Sequence, residues 1–218
     1  MHGILLPTFG LQWHTAMMVY IIVIFGICLF VMSKRLKIVP GKFQSILEIV
    51  VEMYIGLAEE AMGKDGKKYL SIGLSLGVFI FIANATSMVP GLLAPTENIN
   101  TAAGLAITVF VFTHAIGIKV HGIKYIKHFL GPVWWMIPII LPIEIIGHFA
   151  RPMSLTLRLF GNMMGHEQIV GVLLILMPFA YPMLAFSTVL GIVVICVQSF
   201  IFSLLAMMYI GGALEEAH

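Results

Sequence analysis

Charged and polar side chains recur at helical spacing within one apolar stretch, residues 138–177. Glu144, His148, Arg151, Arg158 and Asn162 follow each other at intervals of 4, 3, 7 and 4 residues, which places them along one face of a helix. Glutamate and histidine can exchange protons, whereas arginine keeps its positive charge in proteins. The stripe is therefore suited to passing protons around a fixed cation.

Two more titratable residues follow Arg158 on the same predicted helix. His166 lies about 80° around the helix from Arg158, and Glu167 points nearly opposite to it. Glu144 precedes Arg158 by about 21 Å along a helix. Titratable groups thus flank the cation on both sides, as two offset half-channels would require.

The last apolar segment carries a fainter polar face. Ser187, Gly191 and Gln198 share this face at spacings of 4 and 7 residues. Glycine lets a neighbouring helix approach closely, and the Gln198 amide could hold the Arg158 guanidinium through hydrogen bonds. We predict that the last two membrane helices form a hairpin with polar inner faces.

A purely structural interpretation of these residues stays open. Glu144 and Arg151 could neutralise each other, His148 could be an ordinary core histidine, and Arg158 could extend its head group to the membrane surface. Arg158 nevertheless lies about 20 residues from either end of the apolar stretch. At membrane depth a charge persists where it faces a partner or a water-filled cavity, which favours the functional interpretation.

The composition excludes a soluble globular domain. Apolar residues make up 60% of the 218 residues, charged residues only 10%, and mean hydropathy is +1.05; soluble domains average about 25% charged residues. Uninterrupted apolar runs of membrane-spanning length predict helices, because a β-barrel would need short alternating segments. Cys28 and Cys196 fall inside these runs and are interpreted as small apolar residues.

The predicted fold is an all-α integral membrane protein with five transmembrane helices and one interfacial amphipathic helix, in a single membrane domain, 1–218. The last two membrane helices form a long tilted hairpin. The predicted segments are an outer N-terminal segment 1–14, membrane helices at 15–33, 70–89, 101–118 and 183–212, the interfacial helix 41–63 and a long tilted helix 132–177.

The basic residues predict the orientation. Ten of the twelve lysines and arginines lie in segments 34–68 and 119–127, whereas the loop 90–100 and the break at 177–182 have none. Because basic loops stay in the cytoplasm, we expect the N-terminus outside and the C-terminus in the cytoplasm. The long segment 132–177 could break near Pro152, but crossing parity favours one helix bent by Pro142 and Pro152.

Other membrane functions fit the sequence less well. A proton-coupled secondary transporter remains the alternative, although no internal repeat of the kind such transporters carry is visible. A zinc enzyme would need a second histidine four residues after His166, and the sequence there reads HEQIV. No phosphate-binding glycine loop is present, so the sequence predicts no cofactor, no metal and no catalytic site of its own.

Several motifs together resemble one known family. The segments SLTLRLFGNMMGHE (154–167) and VQSFIF (197–202) are similar to subunit a of F-type ATP synthases, and the resemblance covers nearly the whole chain. Three further segments are also similar to that family: NATSMVPG (84–91), GIKVHGIKYIKHF (117–129) and ALEEAH (213–218).

The resemblance implies a proton-translocating stator subunit, with ATP chemistry on other subunits. Arg158 matches the essential arginine of the family, and Glu144 matches the acid on the side where protons leave. The implied partners are a ring of c subunits, peripheral-stalk b subunits, the F1 sector indirectly and the lipid of a bacterial plasma (inner) membrane, with no nucleic acid. The polar residues matching the side where protons enter are Asn162, Glu167 and Gln198.

Two positions depart from the pattern of some family members. Those members carry a histidine where this chain has Gly191 and a small residue where it has His166, so we hypothesise that the imidazole moved across the hairpin. Some members carry an aspartate where this chain has Ser87, which leaves Ser87 and Asn84 as secondary candidates for the path.

Overall fold

The chain folds entirely into helices over the part that the structure describes. A computed structural model describes residues 12–34, 36–89, 92, 94–122, 125, 137–176 and 181–214. Helices α1 (Trp13–Ser33), α2 (Lys42–Met62) and α3 (Gly66–Ala85) are followed by short 3-10 turns, then by α4 (Ile99–His121), α5 (Ile137–Leu176) and α6 (Tyr181–Leu214). The 3-10 turn Pro95–Glu97 stands between α3 and α4.

Four segments of the described residues are long and apolar enough to cross a membrane: Trp13–Val31, Gly66–Met88, Ile99–His121 and Ala185–Leu214. The predicted all-α membrane fold is therefore confirmed. Helix α5 is not among the four, so the predicted number of five crossings is not established. Helix α2 is also absent from the four.

Helix α5 runs unbroken through Pro142 and Pro152. Its 40 residues span about 60 Å, roughly twice the thickness of the hydrocarbon layer. A proline removes one backbone hydrogen bond and bends a helix without having to end it. The predicted alternative, a break near Pro152, is not what the structure has.

Helices α3 and α6 pack closely because glycine occupies the contact face of α3. A Cβ atom at Gly73 would overlap the Met207 side chain, and one at Gly77 would overlap the Tyr54 hydroxyl and lie 3.1 Å from Ser203. The Tyr54 and Ser203 hydroxyls are hydrogen-bonded at 2.9 Å, which ties α2 to α6. Small residues at such spacing are the usual means by which membrane helices approach.

Helix α2 has the two unlike faces that its sequence predicts. Tyr54, Ala58 and Met62 are buried against α3 and α6, whereas three glutamates on the other face are exposed: Glu48, Glu52 and Glu59. The apolar residues of its first turns, Phe43 and Ile46, are exposed as well, so the buried face begins later than the spacing alone suggests.

Some predicted segments lie outside the described residues. They are most of the N-terminal segment 1–14, residues 132–136 of the predicted long helix, the turn at 177–180 and the acidic tail 215–218.

Candidate functional site

The inner faces of the α5–α6 hairpin meet through polar groups. The Asn162 side-chain amide donates a hydrogen bond of 2.7 Å to Gln198 Oε1. Gln198 is buried, with 2% of its surface exposed, and its Nε2 has no acceptor among the described residues. Gln198 thus holds Asn162 rather than Arg158, which lies one helical turn before Asn162 on α5.

Arg158 lies half-buried on α5, and its guanidinium forms no ion pair or hydrogen bond with the described residues. Leu155 and Leu159 on either side of it are buried in the core between helices. Met153 and Leu157 on the same helix are more than half exposed, as is Val193 on α6. The cation therefore stands at the border between the packed interior and an apolar outer surface of the hairpin.

A second polar group lies around the first half of α5. His148 Nδ1 is 2.9 Å from the Glu144 carbonyl oxygen and 3.4 Å from its carboxylate. Its ring stacks on His114 of α4 at 5.3 Å, and His114 Nδ1 is 2.9 Å from the Tyr125 hydroxyl. Burial raises the pKa of Tyr125 above its ordinary value, so this hydroxyl keeps its proton and can donate it in a hydrogen bond.

Arg151 does not pair with Glu144, although their spacing allowed it. Its guanidinium lies 5.3 Å from the ring centre of Tyr209 on α6, in a cation–π contact. Glu144 instead faces His148, four residues later on the same helix. Arg151, His114, His148 and Tyr209 together line a narrow pocket between α4, α5 and α6.

His166 reaches across the hairpin to α6. Its Nε2 donates to the Ser187 carbonyl oxygen at 3.2 Å, and a Cβ atom at Gly191 would overlap the imidazole ring. Ser187 and Gly191 are both buried. The imidazole of α5 therefore fills the space that a side chain on Gly191 would need.

The 3-10 turn before α4 joins three helices through three consecutive side chains. Thr96 donates a 2.6 Å hydrogen bond to Asn84 Oδ1 of α3, and Asn98 donates one of 3.2 Å to His14 Nδ1 of α1. Between them the Glu97 carboxyl is hydrogen-bonded to Glu167 of α5. Ser87 takes no part in this network, since its hydroxyl donates to the backbone carbonyl of Asn84.

Burial, together with the charge of Glu167 and the hydrogen bond to it, raises the pKa of Glu97 to about 8. Glu97 therefore keeps its proton at neutral pH, and this proton lies in the contact with Glu167. Titratable groups are thus found on both sides of Arg158: Glu144 and His148 before it, and His166, Glu167 and Glu97 after it. Chemically, this arrangement can bind and release protons at two places separated by a fixed positive charge.

Comparison with known proteins decides the family. Residues 14–211 match the model of the family described as ATP synthase A chain. The chain belongs to this family. It is accordingly a non-catalytic membrane subunit of an ATP synthase, with a part in proton transport and ATP synthesis.

Named relatives are similar in sequence to this chain along most of its length. It is 50% identical to ATP synthase subunit a 1 of Syntrophotalea carbinolica over 187 residues, which cover 86% of this chain and 79% of the relative. It is 45% identical to ATP synthase subunit a of Geobacter sulfurreducens over 196 residues, 88% of this chain and 85% of the relative. The subunit a of Geotalea daltonii is 48% identical over 186 residues, 85% and 80% of the two chains.

The sequence did not identify the residues of this subunit a that lie outside the α5–α6 hairpin and contact its polar groups. Glu97 carried one signal, since it is the acidic residue of a loop without basic residues between two apolar segments. The sequence signal for His114 and Tyr125 was weaker. Neither residue belongs to the polar stripe of α5, so spacing did not connect them with the site. Their proximity to the site depends on how α4 packs against α5, which no spacing within one helix reveals.

Proposed function

We propose that the chain is the stator subunit that exchanges protons between the two sides of the membrane and the carboxylates of a rotating ring of c subunits. The observation that carries this proposal is Arg158, a half-buried cation without an acceptor among the described residues. Such a cation is tolerated in a membrane where a partner supplies an anion. A ring carboxylate arriving along the exposed apolar surface of the hairpin is an anion of this kind.

Arg158 has two roles in this proposal. Its fixed charge favours the ionised form of a carboxylate that approaches from lipid, so the carboxylate releases its proton there. The same charge repels protons that would pass directly from one half of the path to the other. Moving one charge through 100 mV is worth only about 2.3 kcal/mol. Several protons must therefore pass for each ATP, and a rotating ring can add their energies together.

Protons use two half-channels that end on opposite sides of Arg158. Those from outside reach the ring past Asn162, His166, Glu167 and Gln198, with secondary roles for three residues: Asn84, Ser87 and Ser187. Protons leave towards the cytoplasm past Arg151, His148 and Glu144. The hydrogen bond between Asn162 and the buried Gln198 supports the outer path, and the contact of His148 with Glu144 supports the inner one.

The proposed topology has five crossings in a bacterial inner membrane, the N-terminus outside and the C-terminus in the cytoplasm. In this arrangement α5 crosses as one oblique helix and α2 lies in the cytoplasmic interface. Peripheral-stalk b subunits hold the chain against rotation, and the F1 sector acts on it through them. The three glutamates on the exposed face of α2 are consistent with an interfacial position.

The test is passive proton conduction through the membrane sector. Inverted vesicles carrying the whole complex are stripped of F1, a potassium diffusion potential is applied, and proton flow is followed with a pH-sensitive dye. Wild-type vesicles conduct, and Gln198→Leu lowers conduction by about fivefold to tenfold, since a lost hydrogen bond in the path is worth roughly 1–1.5 kcal/mol. Ser75→Ala, which removes an exposed hydroxyl on α3, leaves conduction unchanged.

Two outcomes would contradict the proposal. Wild-type vesicles that do not conduct would exclude a proton path in this sector. Conduction that requires a second solute would instead indicate the alternative function, a proton-coupled secondary transporter.

A further inference from the structure

The turn Pro95–Glu97 brings a carboxyl group to the hairpin that the motifs of the α5–α6 hairpin do not contain. The turn packs against α1, α3, α4 and α5, and its Ala94 joins Met163 and Ile195 in a small apolar cluster. The Ala94 backbone N–H donates to Glu97 Oε1 at 3.2 Å. This bond and the contact with Glu167 fix the Glu97 side chain towards α5 rather than towards solvent.

Two carboxyl groups in contact cannot both be ionised at neutral pH without strong repulsion. Glu97 and Glu167 avoid this repulsion by sharing one proton, which Glu97 carries in a half-buried site where its pKa is about 8. The other elements packed on the turn bring few titratable groups. Helix α1 brings His14, which bonds Asn98, and His166 of α5 turns towards α6, while α3 and α4 contribute the uncharged Asn84 and Thr101.

The side chain of Asn84 is independent evidence that the surroundings of the turn Pro95–Glu97 are polar. This side chain is fully buried, and its Oδ1 accepts a hydrogen bond from Thr96, the residue before Glu97. The Nδ2 atom of the same amide therefore lies beside this turn, and it has no acceptor among the described residues. Buried amide donors are normally satisfied by protein or by ordered water, so the surroundings of this turn suit a polar partner.

We infer that Glu97 and Glu167 together form a proton-holding site at the outer mouth of the path, ahead of Asn162 and Arg158. The pair releases its shared proton inward and takes up another from the outer solution. One O–H bond forms as another breaks, and the pair returns to a single shared proton. This inference rests on the proposed function, because it requires that protons pass along this side of Arg158.

The test extends the conduction experiment to a range of lumenal pH. In inverted vesicles the lumen corresponds to the outer side, and trapped buffer sets its pH across values that bracket the Glu97 pKa of about 8. In the wild type Glu97 is protonated below this pKa, so flow from the lumen falls as lumenal pH rises through it. Glu97→Gln and Glu97→Ala lack this titration, and their fall begins at least about one pH unit lower, so that flow is roughly tenfold less than in the wild type once the lumenal pH is above about 8.

Thr96→Val is the matched control in the same turn. It removes the hydrogen bond to Asn84 and leaves the carboxyl pair, so the position of the pH profile stays that of the wild type. Recovery of the variant chain together with the other subunits in the purified complex verifies assembly of each variant.

An unchanged profile in either assembled Glu97 variant would overturn the inference. An equal shift in Thr96→Val, or failure of both Glu97 variants to assemble, would also overturn it, since Glu97 would then be a structural residue. These results differ from failure of the proposed function itself, in which wild-type vesicles do not conduct at any pH.

Discussion

At the scale of single residues, the site depends on which side chains have partners inside the chain and which do not. Gln198 is occupied by Asn162, Arg151 by the Tyr209 ring, and Glu144 by His148. Arg158 alone among these polar groups forms no hydrogen bond, ion pair or ring contact in the described part of the chain. The groups with internal partners are held in position, whereas Arg158 is left to interact with an anion from outside.

The contact between His166 and Gly191 leads to a prediction about the hairpin. In Gly191→Ala the new Cβ atom overlaps the imidazole, so His166 must leave the Ser187 carbonyl. Overpacking of this kind costs about 1–3 kcal/mol, and we expect ATP-driven proton pumping by inverted vesicles to fall by about tenfold. The double variant Gly191→His with His166→Gly puts the imidazole on α6 instead and regains pumping.

Gly104→Ala on α4 is the control for this pair of variants. A Cβ atom there meets nothing within 4 Å, so pumping should equal that of the wild type. If the double variant assembles and does not pump, the hypothesis that the imidazole moved across the hairpin is wrong.

At the scale of helices, the sequence was sufficient to predict features that depend on residue spacing along a single helix. The apolar runs and the absence of alternating segments were sufficient to predict an all-helical membrane protein, and crossing parity favoured the unbroken α5. The spacing of Ser187, Gly191 and Gln198 predicted a buried face on α6, and all three residues are buried. These properties follow from helical periodicity and need no knowledge of neighbouring elements.

Contacts between helices could not be predicted in the same way. Spacing allowed Glu144 to pair with Arg151, but Tyr209 of α6 offers Arg151 a ring face, and His148 lies closer along α5 to Glu144. Similarly, spacing could not show that Glu97 meets Glu167, because the turn Pro95–Glu97 packs on α5 through tertiary contacts. Partner choice among polar groups depends on the packing of α4, α5 and α6 and of the turn before α4.

At the scale of the whole molecule, the positive-inside rule predicts which end of the bundle faces the cytoplasm. Asn100 and Lys119 are exposed residues near opposite ends of α4, separated by about 28 Å along the helix. In a background with Cys28→Ala and Cys196→Ala, we expect a membrane-impermeant thiol reagent to label Asn100→Cys from the outer side alone. Lys119→Cys should be labelled from the cytoplasmic side alone.

Inverted and right-side-out vesicles supply the two comparisons for this labelling. The reverse pattern would invert the topology and would exchange the outer and inner half-channels. Labelling of both cysteines from one side would show that α4 does not cross the membrane.

The charge of Arg158 is central to the proposed function of the whole molecule, and ATP-driven acidification of inverted vesicles tests its role most directly. We expect wild-type complexes to acidify the lumen and Arg158→Ala complexes not to, although the variant chain is recovered together with the other subunits in the purified complex. Lys67→Ala, which removes an exposed cation paired with Glu59, should acidify like the wild type. Normal acidification by assembled Arg158→Ala complexes would contradict the account, because the arginine would then be a structural residue.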